Sequence, residues 1–207
     1  MALQTVVLVS NITNLSDARY CAGMGVEMLG FTLDPQDSSY IEPGSFKAIT
    51  EWVAGIHTVG VVPQAADQDA ETLLQAYPVD YIMTETSSDW QKLRAIGTPL
   101  LCQVWVDGDF TAQWFTYHYQ AIQPYVAYFV LVSKQDAISA KVLEQLTILS
   151  AEFSLILGFG IYEQTVQSLL KNTFLKGIAL KGSHEIRPGF KDFDDLANIL
   201  ELLEVEE

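Results

Sequence analysis

Residues able to move a proton or hold an anion recur at the ends of short apolar runs in this chain. Ser10, Asp34, Glu85, Asp107, Lys134, Lys181 and His184 each close such a run or stand just beyond it. A carboxylate beside a lysine forms an acid–base couple, because one group accepts the proton that the other gives. Glu85 with Lys134, or Asp107 with Lys134, is such a couple if the fold brings the two within hydrogen-bond reach, which spacing alone does not decide. Two glycine-bearing turns, Gly158-Phe159-Gly160 and Lys181-Gly182-Ser183, suggest a second chemistry. Backbone N–H groups unshielded by side chains, with one cation nearby, are the ingredients of a phosphate cradle. The candidate anion contacts are Gly160, Lys181, Gly182 and Ser183. Cys21 and Cys102 lie far apart in apolar segments, which suggests neither a disulfide framework nor a metal site. His57, His118 and His184 are scattered too, so no zinc set and no cofactor is expected.

The elements that must position these groups alternate along the whole chain. Runs with strand character are Val6–Ile12, Met28–Leu33, His57–Val62, Asp80–Thr84, Leu100–Val106, Val126–Val132, Ser154–Phe159 and Gly177–Leu180. They are near-continuously apolar, as parallel strands covered on both faces must be. Helical spacing predicts Leu15–Ala22, capped by Asn14, then Phe46–Ala54, Gln68–Ala76, Asp89–Ile96, Ala112–Ile122, Ser139–Glu152, Glu163–Lys171 and Phe193–Leu203. In the sixth helix Ala140, Leu143, Leu146, Thr147 and Ile148 supply the expected apolar face, and in the eighth Leu196, Ile199, Leu200 and Leu203 do. The stretch Trp114-Phe115-Thr116-Tyr117-His118-Tyr119 is expected to pack against the sheet, and any exposed part of it is a candidate partner or self-association surface.

Eight strand–helix units with long connections imply right-handed parallel crossovers. Such units close into a barrel, a single (β/α)8 TIM barrel over residues 1–207 with a parallel eight-stranded sheet. A doubly wound sheet is the alternative, but the turn after the first strand, Ser10-Asn11-Ile12-Thr13-Asn14, lacks the glycines of a dinucleotide site. In a barrel all strand ends share one rim, where phosphate is often held by the loops after strands seven and eight. Ser10, Val132 and Lys181 are expected at that rim and His57 near the opposite one.

With 11 Lys plus Arg against 26 Asp plus Glu, the formal net charge is −15 over 207 residues. Such a field repels nucleic acid and anionic membrane. The N-terminus lacks a basic export signal and no run approaches a membrane span, so the expectation is a cytoplasmic protein, monomer or homodimer.

Several segments resemble the phosphoribosylanthranilate isomerase family. Val9-Ser10-Asn11-Ile12-Thr13 is similar to that family's first strand, Lys-x-Cys-Gly-Ile-Thr, and Gly25-Val26-Glu27-Met28-Leu29-Gly30-Phe31 to its Gly-Ala-Asp-x-x-Gly-Phe. Ser38-Ser39-Tyr40-Ile41 resembles Ser-Pro-Arg-Tyr-Val, Thr58-Val59-Gly60-Val61-Val62 fits the third strand, and Pro188-Gly189-Phe190-Lys191-Asp192 matches Pro-Gly-x-Lys-Asp before the last helix. The resemblance implies a TIM barrel and an Amadori rearrangement of an aminoaldose phosphate in tryptophan biosynthesis. That reaction needs a general acid at the ring oxygen and a general base at the neighbouring carbon.

The positions that the resemblance assigns to this chemistry are changed. Ser10 stands where the family has its basic Cys, and Val132 where it has its acidic Asp. Leu8 replaces the Lys, Asn11 the following Gly, and Ser39 the substrate-facing Arg. Lys134-Gln135-Asp136-Ala137 has no counterpart of the glycine-rich loop, and Phe159 adds bulk where the family has a double glycine. Three readings stand open: a catalytically degenerate relative that binds a phosphorylated small molecule or a protein; an active isomerase with substituted acid and base; and different chemistry using the carboxylates and lysines of the rim.

Overall fold

The computed structural model describes residues 2–62, 70–85, 89–182, 185–187, 190–191 and 194–205. Parallel strands β1 (Val6–Ser10), β2 (Met28–Thr32), β3 (His57–Val61), β4 (Tyr81–Glu85), β5 (Leu100–Trp105), β6 (Val126–Val132), β7 (Leu155–Leu157) and β8 (Gly177–Lys181) pair in sequence order. The ring closes where β8 pairs with β1, from Val6 opposite Gly177 to Ser10 opposite Lys181. Gly177 is required at this seam, since a Cβ there would strike the Val6 carbonyl oxygen and lie 2.8 Å from the Val6 Cβ.

Helices α1 (Leu15–Gly23), α2 (Pro43–Thr50), α3 (Ala70–Ala76), α4 (Trp90–Ala95), α5 (Ala112–Tyr119), α6 (Ala140–Glu152), α7 (Val166–Asn172) and α8 (Asp194–Leu202) alternate with the strands. Among the described N-termini, four start on a side-chain cap: Asn14, Asp89, Thr111 and Ser139 each accept the N–H of the residue three positions on. A cap of this kind is worth about 1 kcal/mol and fixes where the helix leaves the rim loop. The N-terminus of α2 lies three residues before the expected Phe46, because Pro43 takes the first turn, where its missing N–H costs nothing.

Strand alternation divides the core into two shells. Leu8, Met28, Val59, Met83, Leu101, Val130 and Ile156 fill the barrel lumen. The residues between them, among them Val9, Leu29, Phe31, Leu131 and Leu157, face the helices. In α6 the buried face is Val142, Leu146, Leu149 and Ser150, so of the expected residues Leu146 is buried and Leu143 packs against the core, while Ala140 and Ile148 do not. Ala140 is exposed in the first turn and Ile148 is 47% exposed, because the helix is rolled to continue its stripe into Phe153. The face expected for α8 is the buried one.

An antiparallel pair, β9 (Glu185–Arg187) and β10 (Phe190–Lys191), follows β8. Strand patterning did not reveal it, since each strand is only two or three residues long. Ser183, His184, Pro188, Gly189, Asp192 and Phe193, and the expected start of α3 at Gln68, lie outside the described residues.

Candidate functional site

The C-termini of all eight barrel strands meet at one rim, which carries Ser10, Glu85, Trp105, Val132 and Lys181. His57 begins β3 at the opposite rim, where its ring is 3.9 Å from the Asp80 carboxylate. Ser10 turns its hydroxyl into the lumen mouth, so that a Cβ on Gly30 would lie 3.2 Å from Ser10 Oγ. Val132 joins the lumen-facing apolar side chains, beside Gly158. The positions equivalent by resemblance to the family's base and acid therefore face one cavity mouth, from opposite parts of the ring.

Among the described residues no side chain activates either position. No described side chain hydrogen-bonds to Ser10 Oγ, and a serine hydroxyl without an adjacent base is a poor proton acceptor near neutral pH. Asn11 follows with φ +61, the one non-glycine residue in the left-handed region among those described. Asn tolerates this conformation better than most side chains, so it holds the turn that a glycine would otherwise make.

The β7 and β8 loops pack closely. Gly182 N–H donates to the Ser10 carbonyl at 2.7 Å, extending the β8–β1 ladder by one bond. That donor is therefore committed, and Gly182 contributes close backbone approach to the rim instead: its Cβ would lie 3.2 Å from both the Ser10 and Asn11 oxygens. Gly160 has φ +65 and lies under Ile138 and the Asp136 carbonyl. Phe159 does not crowd this corner. It is buried in the outer shell, because Ile156 and Gly158 face the lumen and the residues between them face the helices. Lys181 is exposed and forms no ion pair with a described residue.

The carboxylates of the rim are occupied in holding the loops. Asp34 Oδ1 accepts Gln36 N–H at 2.9 Å, and Asp107 Oδ1 accepts Asp109 N–H at 3.0 Å. Glu85 accepts the indole N–H of Trp105 at 3.2 Å. Asp107 and Lys134 line one cleft of about 680 Å³ without forming an ion pair, and Glu85 and Lys134 are not joined either. The acid–base couples considered from sequence are not assembled in this arrangement. Below the rim, burial pushes the Cys102 thiol up to about 12, with the Glu85 charge adding to the effect. Trp105 is the rim residue missed by sequence reading. Its signal was a large aromatic next to the end of the fifth apolar run, directly before Val106-Asp107.

No family model matches this sequence, and no curated protein matches it. Solved structures do. The Thermotoga maritima phosphoribosylanthranilate isomerase is 18% identical with a TM-score of 0.78, over 95% of this chain and 97% of that one. The Thermus thermophilus enzyme is 22% identical with a TM-score of 0.72, over 95% and 96%. The fold is that of the phosphoribosylanthranilate isomerases. A third isomerase structure, 17% identical with a TM-score of 0.77 over 95% and 97%, holds reduced 1-(o-carboxyphenylamino)-1-deoxyribulose 5-phosphate. At these identities the likeness to phosphoribosylanthranilate isomerases is one of fold, and the chemistry has to be argued from the residues at the rim.

Proposed function

We propose that this chain is a divergent, cytoplasmic member of the phosphoribosylanthranilate isomerase family that has lost the isomerase chemistry and retains the barrel, across residues 1–207, as a binding scaffold. The observation that carries this reading is the pairing of Ser10 and Val132 at the lumen-facing ends of β1 and β6. Valine has no proton to give, and no described side chain hydrogen-bonds the Ser10 hydroxyl to activate it. A general acid or base contributes roughly 100- to 10,000-fold each, so loss of both removes most of the chemical acceleration. The altered positions Leu8, Ser39 and Lys134 support the same reading, since acid and base act only on a positioned substrate.

The retained binding function is for a phosphorylated small molecule at the β7–β8 corner. Lys181 supplies the charge, the Gly160 backbone an N–H donor, and Gly182 the close approach. Support comes from Lys181, which is exposed and forms no ion pair with a described residue, and from the Gly160 amide, which donates to no described carbonyl.

Complementation of a strain lacking its isomerase tests the catalytic half, because slow enzymes still rescue growth. No rescue is expected, nor any from Ser10→Cys with Val132→Asp. Robust rescue by the unaltered chain, abolished by Ser10→Ala, would make Ser10 part of a replacement base and defeat the proposal. Calorimetric titration with inorganic phosphate tests the binding half, where Lys181→Glu is expected to abolish the signal; absence of any heat with the unaltered chain rejects the site.

A further inference from the structure

A second depression on the rim lies over the β5–α5 connection and has a volume of about 400 Å³. Trp105 and Trp114 both line it, with Asp107, Asp109 and Thr111. Single exposed apolar residues are ordinary on a protein surface. Here two indoles, 51% and 39% exposed, face one cavity of a size that suits a small ligand.

Both rings are already held in place. The Trp105 indole N–H is tied to Glu85 at 3.2 Å. Trp114 stands in the first turn of α5, its backbone N–H bonded to the Thr111 hydroxyl at 3.1 Å. Its ring lies 4.7 Å from His118 and 5.8 Å from Tyr119. Side chains ordered before binding lose little further entropy when a ligand arrives. The tie to Glu85 also raises the electron density of the Trp105 ring, because the carboxylate draws the indole proton toward itself.

The two carboxylates of the cleft differ. Asp109 is neutralised by Lys141 Nζ at 2.9 Å, and this ammonium holds its carboxyl below the usual range. Asp107 is oriented by the Asp109 N–H and forms no ion pair with a described residue. One carboxylate free of ion pairs with described residues, beside two indoles, is a cation's environment. The net charge of −15 favours the approach of a cation and opposes that of an anion. An apolar ligand would desolvate Asp107 without repaying the cost.

We propose that this cleft binds a small organic ammonium or quaternary ammonium group, with the cation against the Trp105 and Trp114 rings and Asp107 as its counter-ion. The site is separate from the β7–β8 corner and does not rest on the loss of isomerase chemistry.

The test compares choline with 3,3-dimethylbutan-1-ol, its neutral isostere, by calorimetry and tryptophan emission on the full chain. Choline is expected to bind saturably, and the isostere at least about tenfold more weakly, given two ring contacts and a charge pair. Trp114→Ala should weaken choline about fivefold. Asp107→Asn should weaken choline and leave the isostere unchanged. Both side chains are exposed, and circular dichroism checks that the variants fold. Equal affinity for the two probes, choline binding indifferent to both substitutions, or no saturable response to choline overturns the proposal.

Discussion

Gly160→Ala probes how tightly the loops after β6 and β7 close on one another. The backbone there has φ +65, and an alanine in the left-handed region costs about 1 kcal/mol. The added Cβ would also lie 2.5 Å from Ile138 Cγ1, 2.7 Å from its Cδ1 and 3.0 Å from the Asp136 oxygen. Overlap of this kind costs about 1–3 kcal/mol, since a partly buried isoleucine and a backbone carbonyl must both give way. The sum is about 2–4 kcal/mol, or a Tm lowered by roughly 5–15 °C for a chain of this length. Ile138→Ala removes two of the three colliding atoms, so Gly160→Ala made in that background should cost about 1–2 kcal/mol less. Urea unfolding followed by tryptophan emission measures all four corners of the cycle, and constant slopes confirm that one transition is compared. Losses that add within about 0.5 kcal/mol would refute the reasoning, because they would mean that Ile138 does not roof Gly160.

Other expectations follow from single environments. The Cys102 thiol, raised from 9.0 to about 12, should resist a thiol reagent at pH 8 until the chain unfolds. The folded state holds that proton more tightly than the unfolded one. Its contribution is therefore complete below pH 9 and is lost as pH rises from 9 toward 12. Cys102→Val should flatten this part of the alkaline stability profile; an unchanged slope would count against the cause. Burial raises the Tyr77 hydroxyl in the same direction, so some alkaline slope should persist in that variant. Phe115 is fully buried among Tyr119, Phe129 and Phe153, so Phe115→Ala should cost about 3–5 kcal/mol in chemical denaturation. Lys141→Met should return the Asp109 carboxyl to the ordinary range in an NMR titration, since the Lys141 ammonium is what lowers it.

Most of the barrel was legible because its strands are short apolar runs buried on both faces, a pattern that survives great sequence change. Ends were less clear. The first run reads as strand to Ile12, yet β1 stops at Ser10 because Asn11 takes a left-handed turn. The roll of α6 was read only in part: Leu146 and Leu143 do reach the core, but Ala140 and Ile148 extend an apparent apolar stripe past the face that burial selects through Val142 and Leu149. At the site, which residues reach the rim follows from strand direction alone, and Ser10, Val132 and Lys181 are there. What each group does at the rim depends on register and hydrogen bonding. That Gly182 spends its N–H on Ser10 required the β8–β1 pairing. The turn of Phe159 away from the mouth was available in the alternation of Ile156, Leu157 and Gly158, had period two been carried past the strand end.

An acid–base enzyme keeps polar groups unspent at the mouth, so that the substrate completes their hydrogen bonds. Here Asp34 and Asp107 hold turns, Glu85 holds an indole and the Gly182 amide holds the Ser10 carbonyl. The apolar lining of the lumen continues to the mouth at Val61 and Val132. A carboxylate introduced at Val132 would enter that lining beside Gly158, and no described side chain hydrogen-bonds the Ser10 hydroxyl to serve as its partner. Its proton affinity would rise by desolvation, which suits an acid, but a proton can be delivered usefully only to a substrate held in register. Asp107 spends Oδ1 on the Asp109 N–H but, like the exposed Lys181, forms no ion pair with a described residue, so both suit the holding of a charged ligand.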